Sequence, residues 1–211
     1  MAVARMNVQE TIGMVAELRQ RVLERQRFHG YSGLARAAGG TWALLLSGVA
    51  RWAGWGEKEQ ALLTVWGVVF CGAVAMNYGA LVWWRLTGRG KNLGPALEPL
   101  PMFWVGGVLT WALAQAGVPD LLPGMWLGLL GLTQFTAKYA LPWRIRWVGW
   151  FYLTMSTIVL LGGDWAWRDP LVLGGMFFFG EWTGGFILHE ETRKAGRLEA
   201  GTCVFTNDDE N

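Results

Sequence analysis

The chain is written in long apolar blocks separated by short polar breaks, without the alternating apolar and charged faces of a water-soluble domain. A helix that crosses a bilayer needs about 20 mostly apolar residues. Six blocks reach or approach that length, at 33–52, 61–84, 100–117, 122–142, 147–163 and 171–190, the third and fifth being shortest. The breaks RWAGWGEKEQ, RLTGRGKNLGPALEP, GVPDLLP, LPWRIR and GGDWAWRDP carry charge, Pro or Gly and are too small to fold as domains. The pattern predicts an all-α protein, a polytopic membrane helix bundle of about six transmembrane helices over residues 31–191.

Residues 1–30 follow a different rhythm. In NVQETIGMVAELRQRVLERQRF, residues 7–28, Val8, Val15 and Val22 recur every seven positions with Leu18 between them, while Glu10, Glu17 and Glu24 mark another face. This predicts a cytoplasmic amphipathic helix. It could pair two copies or dock a cytoplasmic regulatory protein; it could equally lie on the membrane surface or fold against its own bundle. The N-terminus has no signal-peptide-like apolar run, so no cleavage or export is expected. Residues 192–211 are polar and aperiodic and are expected to be disordered.

The charges orient the bundle. With the N-terminus in the cytoplasm, fifteen of the eighteen basic residues fall on the inner side, and only Arg51, Lys58 and Arg168 face outward. That bias is the positive-inside pattern. It predicts a multi-pass protein of the bacterial inner membrane with both termini cytoplasmic. Trp52, Trp55, Trp126, Trp165 and Trp167 fall at expected outer ends, and Trp83, Trp84, Trp143 and Trp147 at inner ends, where amphipathic rings are favoured.

Composition agrees and removes several function classes. Hydrophobic residues make up 53% of the 211, and there are fifteen Trp and thirty Gly, both types favoured in membrane helices. A net charge of +2 gives no argument for a nucleic-acid partner. Of the two cysteines, Cys71 lies in an apolar block and Cys203 in the polar tail, so no disulfide is expected. No Cys/His spacing suggests a metal, no motif suggests a cofactor, and no catalytic constellation is visible. The lipid bilayer is the one expected partner of the apolar surface.

Glu181 is the sharpest chemical signal. It sits near the middle of the last apolar block, LVLGGMFFFGEWTGGFILHEE, where an ionised carboxylate is costly and faces protein or water. Gly184, Gly185, Leu188 and His189 are read on its side of the helix, with Gly180 adjacent, a stripe of small residues that admits a close neighbour. Arg36 and Lys138, just inside the cytoplasmic ends of their helices, are candidate partners, and direct contact of Lys138 with Glu181 is expected. Asn77, Gln134 and Thr136 supply hydrogen-bonding groups at similar depth. These residues make either an inward-opening polar site or a packing contact, with Arg36 and Lys138 otherwise reaching to headgroups.

The order of ELRQRVLERQRF, then YSGLARAAGG, then Lys138-Tyr139 closing the fourth block and a Gly-rich last block ending on His189 resembles an uncharacterised family of small bacterial six-helix membrane proteins. Members are often found beside winged-helix transcriptional regulators, so the resemblance implies a regulatory or stress-response setting. It carries no role over to Glu181, which departs from the family pattern. Two functions are expected: a non-enzymatic regulatory or assembly component, or a small transporter or channel with a polar site around Glu181.

Overall fold

The computed structural model describes residue 13 and residues 32–87, 100–136 and 141–204. Apart from Gly13, the expected amphipathic helix 7–28 lies outside the described residues, as do the pair Lys138-Tyr139 and the last residues 205–211. Every regular element described is helical. In chain order these are α1 (Gly33–Trp52), α2 (Glu59–Leu86), α3 (Leu100–Gln115), α4 (Leu122–Thr136), α5 (Arg146–Gly162), the single turn α6 (Trp165–Arg168) and α7 (Pro170–Val204).

Local chemistry sets the boundaries. Ser32 caps α1 by accepting the Ala35 amide at 3.3 Å. The chain leaves α1 through Gly54, at φ 67°, a left-handed conformation that side chains resist. Asp169 accepts the Leu171 amide at 3.1 Å, and Pro170 follows it as the first helical residue, the pairing that starts helices well. Past Glu191, α7 continues to Val204, thirteen residues into the stretch expected to be disordered. Helical hydrogen bonding propagates from the ordered turns behind it, and no Pro interrupts this polar continuation.

Three helical stretches are long and apolar enough to cross a bilayer: Glu59–Ala80, Trp143–Gly162 and Pro170–Lys194. Of the other three expected spans, α1 has the expected bounds but carries Arg36 and Arg51, while α3 and the described part of α4 have 16 and 15 residues. At 1.5 Å per residue those two fall short of the bilayer core.

Two close helix pairs form the body of the bundle. α1 runs antiparallel to α7, with Gly33 against Gly185, Gly40 against Phe178 and Glu181, and Ser47 against Gly174. α4 runs antiparallel to α5, with Gly131 against Gly149 and Leu153, and Gly124 against Leu160; Ser156 donates to the Gly124 carbonyl at 2.7 Å. Small residues at these crossings bring the backbones together, the packing open to helices that gain little from hiding Leu from lipid-like surroundings. α2 lies along α1, where Trp42 packs on Gly72. α3 buries no residue and leans outward on α2 and α4 through Phe103 on Phe70 and Thr110 on Trp126. The two pairs meet over Trp66, Trp126, Trp167, Phe177 and Tyr152, with Trp66 and Phe177 ring centroids 5.7 Å apart.

The glycines of α7 make a direct test of this packing. A methyl group on Gly185 would lie 2.5 Å from the Gly33 carbonyl, a backbone atom that cannot move aside, whereas one on Gly175 would meet nothing within 4 Å. Gly185→Ala is expected to lower stability in detergent by about 1–3 kcal/mol, and Gly175→Ala to leave it unchanged or slightly raised. Reversible unfolding followed by circular dichroism measures both; equal effects would reject the close crossing.

Candidate functional site

Four helices bring a polar side chain to one point between the two helix pairs. Glu181 comes from α7, Arg36 from α1, Gln134 from α4 and Tyr152 from α5. The Arg36 Nε lies 2.7 Å from Glu181 Oε2, and its Nη2 donates to Oε1 at 3.2 Å, so the guanidinium grips both carboxylate oxygens. Its Nη1 donates to Gln134 Oε1 at 3.1 Å. Tyr152 donates its hydroxyl proton to Glu181 Oε1 at 2.8 Å. Gln134 then spends its own amide on the Leu130 carbonyl and the Thr133 hydroxyl.

The site is largely enclosed, with 18% of the Glu181 side chain still exposed. Tyr152 is 0% exposed, Gln134 6% and Arg36 8%. Three glycines provide the room. A methyl group on Gly184 would sit 2.6 Å from the Arg36 guanidinium, one on Gly40 would sit 2.8 Å from the Glu181 Cβ, and one on Gly180 would enter the Tyr152 ring. The run Gly180-Glu181-x-x-Gly184 therefore sets the carboxylate between two notches on α7, one for each of its partners. Arg36 and Glu181 together are neutral, and their close two-point contact recovers in Coulomb and hydrogen-bond energy what each loses on leaving water.

The sequence-expected residues divide into two groups. Glu181, Arg36, Gln134, Gly180 and Gly184 come together, while Gly185 packs on Gly33 and Ala37 away from the network. Arg36 turns inward to Glu181, away from any reach toward headgroups. Asn77 and His189 stay apart: Asn77 donates back to the Ala73 carbonyl of its own helix at 2.9 Å, beside Gly39, and His189 is exposed. The register explains the histidine. Eight residues at about 100° each place it roughly 80° round α7 from Glu181, whereas seven bring Leu188 back to the buried face. Lys138 lies outside the described residues, and both Glu181 oxygens are engaged by Arg36. Thr136 donates to the Thr133 carbonyl at 3.1 Å.

Tyr152 is the member that sequence reasoning missed. Its signal was available: a phenol in the middle of RWVGWFYLTMSTIVLLG, where a buried hydroxyl needs a partner and the apolar neighbours offer none.

Further charge lies at the two ends of the bundle. At the end where α7 continues, Arg144 binds Glu190 at 2.6 Å and Lys194 binds it at 3.0 Å. At the opposite end Arg51 lies 3.5 Å from Asp169, and a cavity of about 300 Å³ is lined by Glu57, Glu59, Asp120, Asp164 and Arg168. Among the described residues no cluster of His, Cys, Asp and Glu suits a metal ion. No protein-family model matches the chain, and no curated protein or solved structure is similar to it.

The geometry predicts an asymmetric mutational response. Arg36→Met or Glu181→Met alone is expected to cost about 3–5 kcal/mol, because each strands a buried charge, while the double substitution recovers most of the loss. Tyr152→Phe removes one hydrogen bond and is expected to cost about 1 kcal/mol. A double-mutant cycle on unfolding in detergent reads all three; strictly additive effects of Arg36→Met and Glu181→Met would mean that the two groups do not interact.

Proposed function

We propose that this is a six-span inner-membrane protein with both termini in the cytoplasm, acting as a non-enzymatic regulatory or assembly component. The observation that carries the reading is the closed Arg36–Glu181–Gln134–Tyr152 network. Its charges cancel and each side chain in it is engaged by another, the condition of an interhelical lock. A substrate path needs polar groups turned to a passage, and neither the cavity at the Asp164 end nor the smaller groove between α5 and α7 is lined by these four side chains.

The membrane setting is supported by the inverted surface. Only 22%, 33% and 39% of the three membrane-length stretches is buried, and Trp104, Trp111, Trp147, Phe179 and Phe186 stand outward. Apolar side chains on that scale would drive a water-exposed bundle to aggregate, whereas acyl chains cover them without cost. The remaining spans, α1, α3 and α4, complete six by resting against these. The inner side is assigned by its basic residues, among them Arg144, Arg146, Arg193 and Lys194. Partner recognition falls to residues 7–28, through self-association or a cytoplasmic regulatory protein, in keeping with the resemblance to the six-helix family found beside winged-helix regulators.

In a chain with Cys71 and Cys203 replaced by Ser, a single Cys at Lys58 is expected to react with a membrane-impermeant maleimide on intact cells, and one at Arg146 only after permeabilisation. The reverse labelling would overturn the orientation. Deleting residues 1–28 should reduce the mass of the purified complex by more than the deleted residues account for, through loss of a second copy or partner, while leaving the melting temperature of the helical bundle unchanged; a loss of the deleted mass alone, or solute flux into proteoliposomes of the pure protein, would favour the transport reading instead.

A further inference from the structure

A second feature of α5 and α7 is independent of the polar network. Trp147, Val148 and Phe151 on α5 and Phe179, Gly180 and Thr183 on α7 line an open groove of about 140 Å³ whose walls are almost wholly apolar. Its floor is formed by Gly180 and the buried Val148, while Trp147 and Phe179 stand up as rims. Such a slot holds water poorly.

One end of the groove is strongly marked by charge. Phe179, Thr183, Phe186, Glu190 and Arg193 recur every three to four residues along one face of α7, so the groove leads down that face to the Arg144–Glu190 ion pair, which ties the two helices together. This end of the bundle carries four cations, Arg144, Arg146, Arg193 and Lys194, against two carboxylates, Glu190 and Glu191. Arg144 and Lys194 are held by the glutamates; Arg146 and Arg193 are exposed and form no ion pair among the described residues.

We infer that the groove is a binding site for one anionic phospholipid, with an acyl chain between α5 and α7 and the phosphate held by Arg193, in register with Phe179 and Thr183 on the groove face of α7. The inference rests on the membrane reading above. A chain of methylenes matches an apolar slot open along its length, and Trp147 sits where a glycerol backbone would lie between chain and headgroup. The surplus of two positive charges selects the headgroup: a zwitterionic lipid gains the same chain burial without the net attraction, so the expected preference is about tenfold.

The test is native mass spectrometry of the full chain in detergent with equimolar phosphatidylglycerol and phosphatidylcholine. One phosphatidylglycerol should be retained per chain at about ten times the level of phosphatidylcholine. The double variant Arg146→Gln/Arg193→Gln should bring the ratio near one. Thr183→Trp, which fills the slot from its open side, should lose both lipids with the melting temperature unchanged. Equal retention of the two lipids by the unaltered protein, undiminished phosphatidylglycerol on Thr183→Trp, or a dimer that forms as lipid is lost would each overturn the inference, the last because a second copy would then occupy the groove. Release of the protein from membranes by alkaline carbonate would instead sink the membrane reading; a carbonate-resistant protein with no lipid preference sinks only this one.

Discussion

The contact between Arg36 and Glu181 is the constraint to which the rest of the bundle is fitted. Neither group could stay charged in an apolar interior alone, so each fixes where the other must be. Satisfying both requires α1 and α7 to lie at one separation and one register, and Gly40 and Gly184 provide it. The remaining capacity of the pair reaches across to the other helix pair, through Gln134 on α4 and Tyr152 on α5. An apolar substitute of similar volume could match the stability but would not distinguish one sliding register from another. Specificity of packing is therefore the better account of why two charges are retained there.

The levels of the bundle are held by different means. Toward the Asp164 end the interior is aromatic: Trp126 lies 6.0 Å from Trp66 and 6.4 Å from Trp167, rings that contribute area and geometry without demanding solvent. Level with Glu181 the interior is polar, and toward the Arg144 end it turns apolar again around Ile145, Val148, Ile187 and Leu188. Tyr152 belongs to both the aromatic and the polar level, its ring 6.4 Å from Phe177 and its hydroxyl on Glu181. The aromatic level can tolerate small shifts of its helices, whereas the polar level accepts one arrangement.

Much of this was legible in the sequence, for identifiable reasons. The helical class and the bounds of α1 followed from the length of its apolar block and from the charged break RWAGWGEKEQ behind it. Glu181 was legible because a carboxylate in such a run demands explanation, and Gly180 and Gly184 because small residues beside it imply a close neighbour. That Arg36 meets Glu181 was not legible, since Arg36 and Lys138 were both read near the same end of their helices; the antiparallel register of α1 on α7 brings Arg36 level with Glu181, while Lys138 lies outside the described residues. Tyr152 was hidden among bulky neighbours that share its hydrophobicity, and its hydroxyl matters only once α5 is known to face α7. The helix past Glu191 was missed because polar, aperiodic sequence carries no packing signal, yet a long helix already formed can extend through it.

Arg36 and Glu181 stand 145 residues apart in the chain, on the first and last of the described helices. At about 5–20 residues per second, roughly 7–30 s of translation separate the appearance of the arginine from that of its partner. During that interval a guanidinium suited only to a completed bundle has no carboxylate to meet. An unfinished or truncated chain is thus chemically different from a whole one: it displays an unneutralised charge where the finished protein has none. The pair that locks the mature fold can therefore form only once the last helix has been made.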